Sequence, residues 1–223
     1  MMAGMPTQQP GSRPDPGRPD PGLPEPGDEP EIGAGRDWRD TVRNGADLAL
    51  AGIVTTVAAV PVITAGAALA TASAAMARFC HIERFPSAGE SARRFARAIL
   101  PGLGASLVAY VLIWLFAVDL RLLREGTVPG GPALIAATTV VAILVLGVVG
   151  LTLVEIGRAG GTGWRCAART AVDVALRKPA AALAEGGVLA LAVLLAVLIP
   201  VCAPILLGYA LFALHVVARR LLP

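Results

Sequence analysis

The chain has little charge and few aromatic residues. Of its 223 residues 16% are charged and 4% are aromatic, whereas a soluble domain is typically about 25% charged. No Asp, Glu, Lys or Arg occurs from Leu48 to Ala77 or from Gly186 to Ala218. An uncharged apolar run of about 18 or more residues is typical of a membrane-spanning helix. These deficits exclude an ordinary soluble enzyme.

Cysteine and lysine are also scarce. The three cysteines lie far apart and form no C-x-x-C pair, so we expect no disulfide framework, no metal site and no cofactor. The basic residues are 18 arginines and Lys178, and no basic stretch is interleaved with aromatics. A nucleic-acid partner is therefore not expected. We find no catalytic constellation, so the predicted class is a non-enzymatic membrane protein in contact with the lipid bilayer.

The N-terminal segment differs in composition from the rest. Nine of the first 35 residues are proline and seven are glycine, and the unit Arg-Pro-Asp-Pro-Gly occurs twice in succession. Such a chain cannot bury a core, so we expect residues 1–37 to form a disordered cytosolic tail, either idle or a proline-rich ligand. Residues 38–221 form the expected transmembrane domain.

Prolines and charges divide the transmembrane domain into helices. The predicted fold is an all-α, polytopic bundle of about six spans, with boundaries near Thr41–Val60, Ala65–Cys80, Ala98–Val118, Pro132–Val154, Ala180–Ile199 and Pro204–Val217. The stretch from Leu48 to His81 is long for one span and short for two. Pro61 lacks an N–H and Gly66 permits a turn, so these residues favour a tight hairpin. One kinked span, giving five in total, is the alternative.

The second span consists mainly of small residues. Between Ala65 and Ala77, 11 of 13 residues are Ala, Gly, Ser or Thr. Gly66, Ala70 and Ala74 form a row that favours close helix packing, so we expect this helix at the centre of the bundle. A substrate path beside the small residues is the alternative function of this row.

Two basic amphipathic helices precede spans. Ser87 and Glu90 form a capping-box pattern at the start of the first. The second, from Trp164 to Arg177, has an apolar face and a charged stripe with four-residue spacing. The two segments resemble a weak internal repeat with an offset of 78 residues. They either lie on anionic lipid or dock a cytosolic or membrane partner.

The motif from Val60 to Gly66, Val-Pro-Val-Ile-Thr-Ala-Gly, resembles the signature of the YesL family of bacterial membrane proteins, a domain of unknown function. The segment that ends in Asp119 resembles the family's hydrophobic-Asp element, and the likeness covers about residues 38–221. Ala67 stands where the family usually has proline. The resemblance implies a bacterial cell-membrane protein and draws attention to Pro61, Thr64 and Gly66. Some members of the family are encoded beside ABC-type carbohydrate-uptake systems.

Few polar groups fall within the spans. Glu185 lies about a turn inside the fifth span and His215 in the last turns of the sixth. We expect them to meet near one membrane face, either as one stabilising hydrogen bond or as a site for a proton or polar ligand. Asp119 lies near the end of the third span, where Arg121 and Arg124 are available partners.

Two functions remain open. One is an accessory partner of a membrane transport system, with carbohydrate uptake implied by the family resemblance. The other is a small secondary transporter acting alone. The first is favoured because the middles of the last four spans are almost entirely Leu, Val, Ile and Ala, whereas transporters place polar groups near the midplane. The sequence does not indicate an oligomeric state.

The distribution of basic residues predicts the topology. Six spans with a cytosolic N-terminus place 17 of the 19 basic residues in the cytosol and leave Arg121 and Arg124 outside, as the positive-inside rule requires. Reporters fused before Arg36 and after Pro223 should therefore both report the cytosol. An external signal from the N-terminal reporter would replace the six-span topology with the five-span one.

Overall fold

A computed structural model of the protein describes residues 38–82, 86–125 and 131–222. The expected disordered tail, residues 1–37, lies outside this range. The described chain is helical, with two short 3₁₀ turns, one before α2 and one before α7. The helices are α1 (Trp38–Ala59), α2 (Ala65–Ile82), α3 (Ala88–Arg124), α4 (Gly131–Arg158), α5 (Trp164–Arg177), α6 (Pro179–Leu198) and α7 (Ala203–Leu221).

The predicted all-α membrane bundle is confirmed, although the span count of six is approximate. Five segments of the described chain are long and apolar enough to cross a membrane, and they contain α2, α3, α4, α6 and α7. The 22-residue helix α1 is not among them. Its first half carries Arg39, Asp40, Arg43 and Asp47, which leaves a short apolar part. The protein is therefore a multi-pass membrane protein with α1 as a sixth long helix.

The stretch from Leu48 to His81 is a hairpin, as the Pro61–Gly66 break predicts. Leu48 of α1 and Met76 of α2 belong to the same buried apolar cluster, so the chain folds back on itself. The Thr64 hydroxyl lies 2.7 Å from the Ala58 carbonyl oxygen and 2.8 Å from that of Pro61, and can donate to either. Because carbonyls at a helix end lack intrahelical partners, Thr64 caps α1.

Several pairs of packed helices run antiparallel. In α1 and α7, Gly52 lies against Pro204 and Leu48 lies against Gly208. The Nζ of Lys178, just before α6, donates to the Leu221 carbonyl at the end of α7, at 3.5 Å. Antiparallel contacts of this kind recur between α2 and α3 and between α4 and α6.

One end of the bundle therefore collects most of the basic residues. We call this the arginine-rich end; it comprises the start of α1, the ends of α2, α4 and α7, the start of α3, and α5. The described basic residues there are Arg39, Arg43, Arg78, Arg93, Arg94, Arg97, Arg158, Arg165, Arg169, Arg177, Lys178, Arg219 and Arg220. Glu90 of α3 pairs with Arg78 at 2.8 Å and with Arg94 at 2.7 Å.

Close backbone contacts at glycines hold three pairs of helices together. A Cβ at Gly66 of α2 would overlap the backbone of Gly102 in α3. The same holds for Gly52 of α1 against Gly208 of α7. In α4 and α6, a Cβ at Gly147 would overlap the Ala182 carbonyl, and one at Gly186 would overlap the Ile143 carbonyl. Small residues let backbones approach, which strengthens van der Waals contact between membrane helices.

Helix α2 lies at the centre of the bundle, which confirms the prediction from its small residues. It packs against α1, α3, α4 and α7. Gly66, Ala70 and Ala74, the predicted row, are all buried. Half of an 18-residue window of the α2 span is buried inside the bundle, whereas only 11% of such a window of the α3 span is.

The two amphipathic segments are helical, but they join their spans differently. The first is the start of α3, which continues without a break through Pro101. Its predicted capping box is half formed, because the Glu90 N–H donates to the Ser87 hydroxyl at 3.3 Å while the Glu90 carboxylate pairs with arginines instead. The second is α5, which ends at Arg177; the non-helical Lys178 separates it from α6, which begins at Pro179.

The predicted faces of α5 are confirmed. Ala167 and Ala171 are buried, whereas the charged stripe is exposed. The turn before α5 contains three glycines with positive φ, at Gly160, Gly161 and Gly163. This conformation is strained for residues with a Cβ, so the glycines allow α5 to fold back onto α4.

Replacing Gly66 with leucine should destabilise the protein, because the side chain would displace the backbone of Gly102 and the Ser106 hydroxyl. Overpacking a well-packed core typically costs about 1–3 kcal/mol. The measurement is the thermal unfolding midpoint in detergent. Gly104→Leu is the matched control, since a Cβ at Gly104 meets nothing within 4 Å. Equal midpoints for the two variants would contradict the glycine contact.

Candidate functional site

The interior of the bundle contains a small set of buried polar side chains at the junction of α2, α4, α6 and α7. Ser73 and Glu185 are 0% exposed and His215 is 3% exposed. Thr152 of α4 is also buried, and its hydroxyl donates to the Val148 carbonyl one turn earlier. Polar groups at such positions in a membrane protein are costly unless they are partnered, and they often mark function.

Ser73 and His215 form one hydrogen-bonded unit. The Ser73 Oγ and the His215 Nε2 lie 3.4 Å apart, and the Ser73 hydroxyl also lies against the Leu153 carbonyl of α4. On its other side, the His215 Nδ1 lies 2.9 Å from the Leu211 carbonyl. Because a carbonyl only accepts hydrogen bonds, Nδ1 carries a proton. The unit links α2, α4 and α7.

Gly157 of α4 makes room for this unit. A Cβ at Gly157 would lie 2.5 Å from the Ser73 Oγ and 2.8 Å from the His215 Nε2. Any larger residue at position 157 would therefore separate α4 from the serine and the histidine. The glycine allows three helices to meet at one polar contact.

Glu185 and His215 do not form the predicted pair. Both residues are buried, but neither carboxylate oxygen of Glu185 has a hydrogen-bond partner among the described residues. The two side chains pack against different turns of α4, with Glu185 beside Gly150 and His215 beside Gly157. Seven helical residues correspond to about 10 Å along the axis. Sequence spacing does not define how α6 and α7 are rotated about their axes. The predicted pairing of Glu185 with His215 was wrong for this reason.

The other candidate residues from the sequence lie at or near the ends of helices. Pro61 precedes the first 3₁₀ turn, and Thr64 caps α1. The Gly66 N–H donates to the Ser106 hydroxyl of α3 at 2.8 Å, which satisfies a free donor at the start of α2. Asp119 is partly exposed near the end of α3, and no ion pair to it is found among the described side chains.

Sequence reasoning missed Ser73 and Gly157. Ser73 is one small residue within an alanine-rich helix, and Gly157 is one of several glycines in an apolar one. A search for small residues facing a histidine would need the helix arrangement first. The usable signal was that Ser73 is the only serine in the second span.

The arrangement offers hydrogen bonding and proton exchange but no assembled metal site. No group of three or more His, Cys, Asp or Glu side chains suited to a metal ion occurs in the described ranges. Among the buried side chains of the described residues, the imidazole of His215 and the carboxyl of Glu185 are groups that can bind or release a proton.

Comparison with protein-family models, curated proteins and solved structures yields no match to this chain.

Removal of Ser73 and His215 should show energetic coupling. Ser73→Ala and His215→Leu should each lower stability by about 1–3 kcal/mol, because the remaining partner stays buried with an unmet hydrogen bond. The double variant should lose less than the sum of the two. The measurement is equilibrium unfolding in mixed micelles.

A Glu185 variant is the control for this comparison of single and double variants. Because Glu185 does not hydrogen-bond to His215, Glu185→Gln and His215→Leu should have additive effects, within about 0.5 kcal/mol. Additivity between Ser73→Ala and His215→Leu would show that the 3.4 Å contact contributes nothing to stability.

Proposed function

We propose that this chain is a non-enzymatic accessory subunit of a membrane transport system in the bacterial cell membrane, belonging to the YesL family. Carbohydrate uptake is the proposed substrate class, and it rests on the resemblance of the Val60–Gly66 motif. In this proposal the arginine-rich end faces the cytosol, with both termini on that side. The grouping of basic residues at one end supports this orientation through the positive-inside rule.

The outer half of α3 is the observation that carries the proposal. The contacts of α3 with α2 extend from Glu90 to Ser106. From Leu107 to Leu122 no side chain is buried. Tyr110 and Trp114 are 57% and 58% exposed on this segment. From Leu107 to Arg121, 15 residues of a spanning helix thus bury no side chain against the described part of the bundle.

An unburied transmembrane helix is available to a partner helix as well as to lipid. Aromatic side chains bury large areas and contribute strongly to interfaces. Tyr110 and Trp114 are four residues apart, so they lie on one face of α3. This face supports docking of a transport subunit within the membrane.

The arginine-rich end supports a second contact on the cytosolic side. A groove of about 440 Å³ at the start of α3 is lined by Arg93, Arg94 and Arg97, together with Glu90. A second shallow groove lies on α5 beside Arg169 and Asp173. The first groove is basic and suits an acidic patch on a soluble transport subunit or anionic lipid headgroups.

The alternative is a small secondary transporter acting alone. The buried Ser73, His215 and Glu185 side chains favour it, because polar groups inside a bundle mark ion pathways in transporters. Against it, the middles of the last four spans are almost entirely Leu, Val, Ile and Ala, whereas transporters place polar groups near the midplane. The accessory function therefore has the stronger structural support.

Affinity purification from native membranes tests the proposed function. Wild-type protein should co-purify with transport permease subunits, identified by mass spectrometry. Replacing Tyr110 and Trp114 with alanine should reduce this co-purification without lowering the unfolding midpoint, because neither side chain is buried in the chain's own fold.

Leu191→Ala and Val197→Ala together form the matched control, since both residues are exposed on α6. This variant should co-purify as the wild type does. A purified homomer that transports a solute after reconstitution, with no other subunit present, would contradict the accessory function and support the transporter.

A further inference from the structure

Glu185 is the most unusual side chain in the bundle. It is fully buried on α6, about one and a half turns from the start of that helix at Pro179. Both carboxylate oxygens are without a hydrogen-bond donor among the described groups. Buried carboxylates are normally paired or hydrogen-bonded, so the isolation of Glu185 calls for a chemical explanation.

The side chain of Glu185 lies against apolar groups of α4 and α7. A Cβ at Gly150 of α4 would lie 3.3 Å from the Glu185 Cβ and 3.4 Å from its Oε2, so the backbone of α4 passes directly beside the carboxyl. The apolar side chain of Leu214 on α7 lies beside the same position, because its Cδ2 would be 3.1 Å from a Cβ built at Gly150. On these two sides Glu185 therefore meets a glycine backbone and a leucine methyl group.

Several charged and titratable groups on the helices that pack against α6 are engaged elsewhere. On α4, Arg158 pairs with Glu155 at 3.0 Å, and its charge reaches Glu185 only at longer range. On α7, His215 bonds to Ser73 and Leu211. On α5, Arg177 pairs with Asp173 at 3.0 Å, and both are exposed. No described ion pair includes Glu185.

We propose that Glu185 is a proton-binding site inside the membrane bundle, where its carboxyl holds a proton and exchanges it with the arginine-rich end. Binding one proton converts the carboxylate to a neutral acid, which removes the charge that its apolar neighbours cannot solvate. The position of Glu185 indicates the end of the bundle at which the proton exchanges. Glu185 is near the start of α6, at the arginine-rich end, while 13 further residues of α6 separate it from the other end. This inference goes beyond the proposed function and does not depend on it.

Infrared spectroscopy of the full chain in lipid tests the proposal. A neutral carboxylic acid without a hydrogen-bond partner has a C=O stretching band well separated from the amide bands. The band should be present at neutral pH in the wild type and lost in Glu185→Gln. Glu155→Gln is the matched control, since Glu155 is ion-paired near the arginine-rich end, and it should retain the band.

Exchange is measured by transfer to deuterated buffer. The band should shift as O–H becomes O–D, and it should lose intensity reversibly as the pH is raised. If circular dichroism shows that Glu185→Gln does not fold, Glu185→Asp replaces it. In that variant the C=O band should shift in frequency rather than disappear.

Three outcomes would overturn the proposal. A wild-type spectrum without the band at neutral pH would mean that Glu185 is ionised. A band that does not respond to deuterated buffer would mean that its proton is locked in place. A band that disappears when Na⁺ is added at constant pH would assign the site to a metal cation.

Discussion

The close approach of helix backbones at glycines is the constraint on which the rest of the structure depends. Lipid solvates apolar side chains as well as protein does, so membrane helices associate mainly through van der Waals contact and hydrogen bonds. Contacts at Gly52, Gly66 and Gly147 fasten α1 to α7, α2 to α3, and α4 to α6. Contacts of α2 with α7 and α4, and of α6 with α7, join these three pairs into one bundle.

The same constraint determines where polar groups are tolerated. Glycines on one face of α4 leave space into which side chains from other helices project: Gly157 admits Ser73 and His215, and Gly150 admits Glu185. The first space is filled by a hydrogen-bonded unit that joins three helices. The second holds a carboxyl group without a partner. Helix α4 thus lies beside a hydrogen-bonded polar unit at one position and beside a carboxyl group without a hydrogen bond about two turns away.

The sequence predicts the helices well because local signals fix their ends. Pro61, Pro179 and the Ser87 cap lie at or beside helix ends. The small residues of α2 also predict its central position. By contrast, the Ser73–His215 contact joins residues 142 positions apart and depends on how α2 and α7 are rotated. The span count was uncertain for a related reason, since α1 combines a charged start with a short apolar part.

The length of α3 connects the two surfaces assigned to partners. Its 37 residues correspond to about 55 Å of helix, more than the 40–45 Å or so of a bilayer with its headgroups. The helix must therefore tilt strongly or emerge from the membrane, and its basic start is the part that lies at the arginine-rich end. The equivalent junction between α5 and α6 is broken at Lys178, where the backbone leaves helical geometry. A subunit on the outer half of α3 and a ligand in the basic groove would thus contact opposite ends of one uninterrupted helix, whereas the break at Lys178 separates α5 from α6.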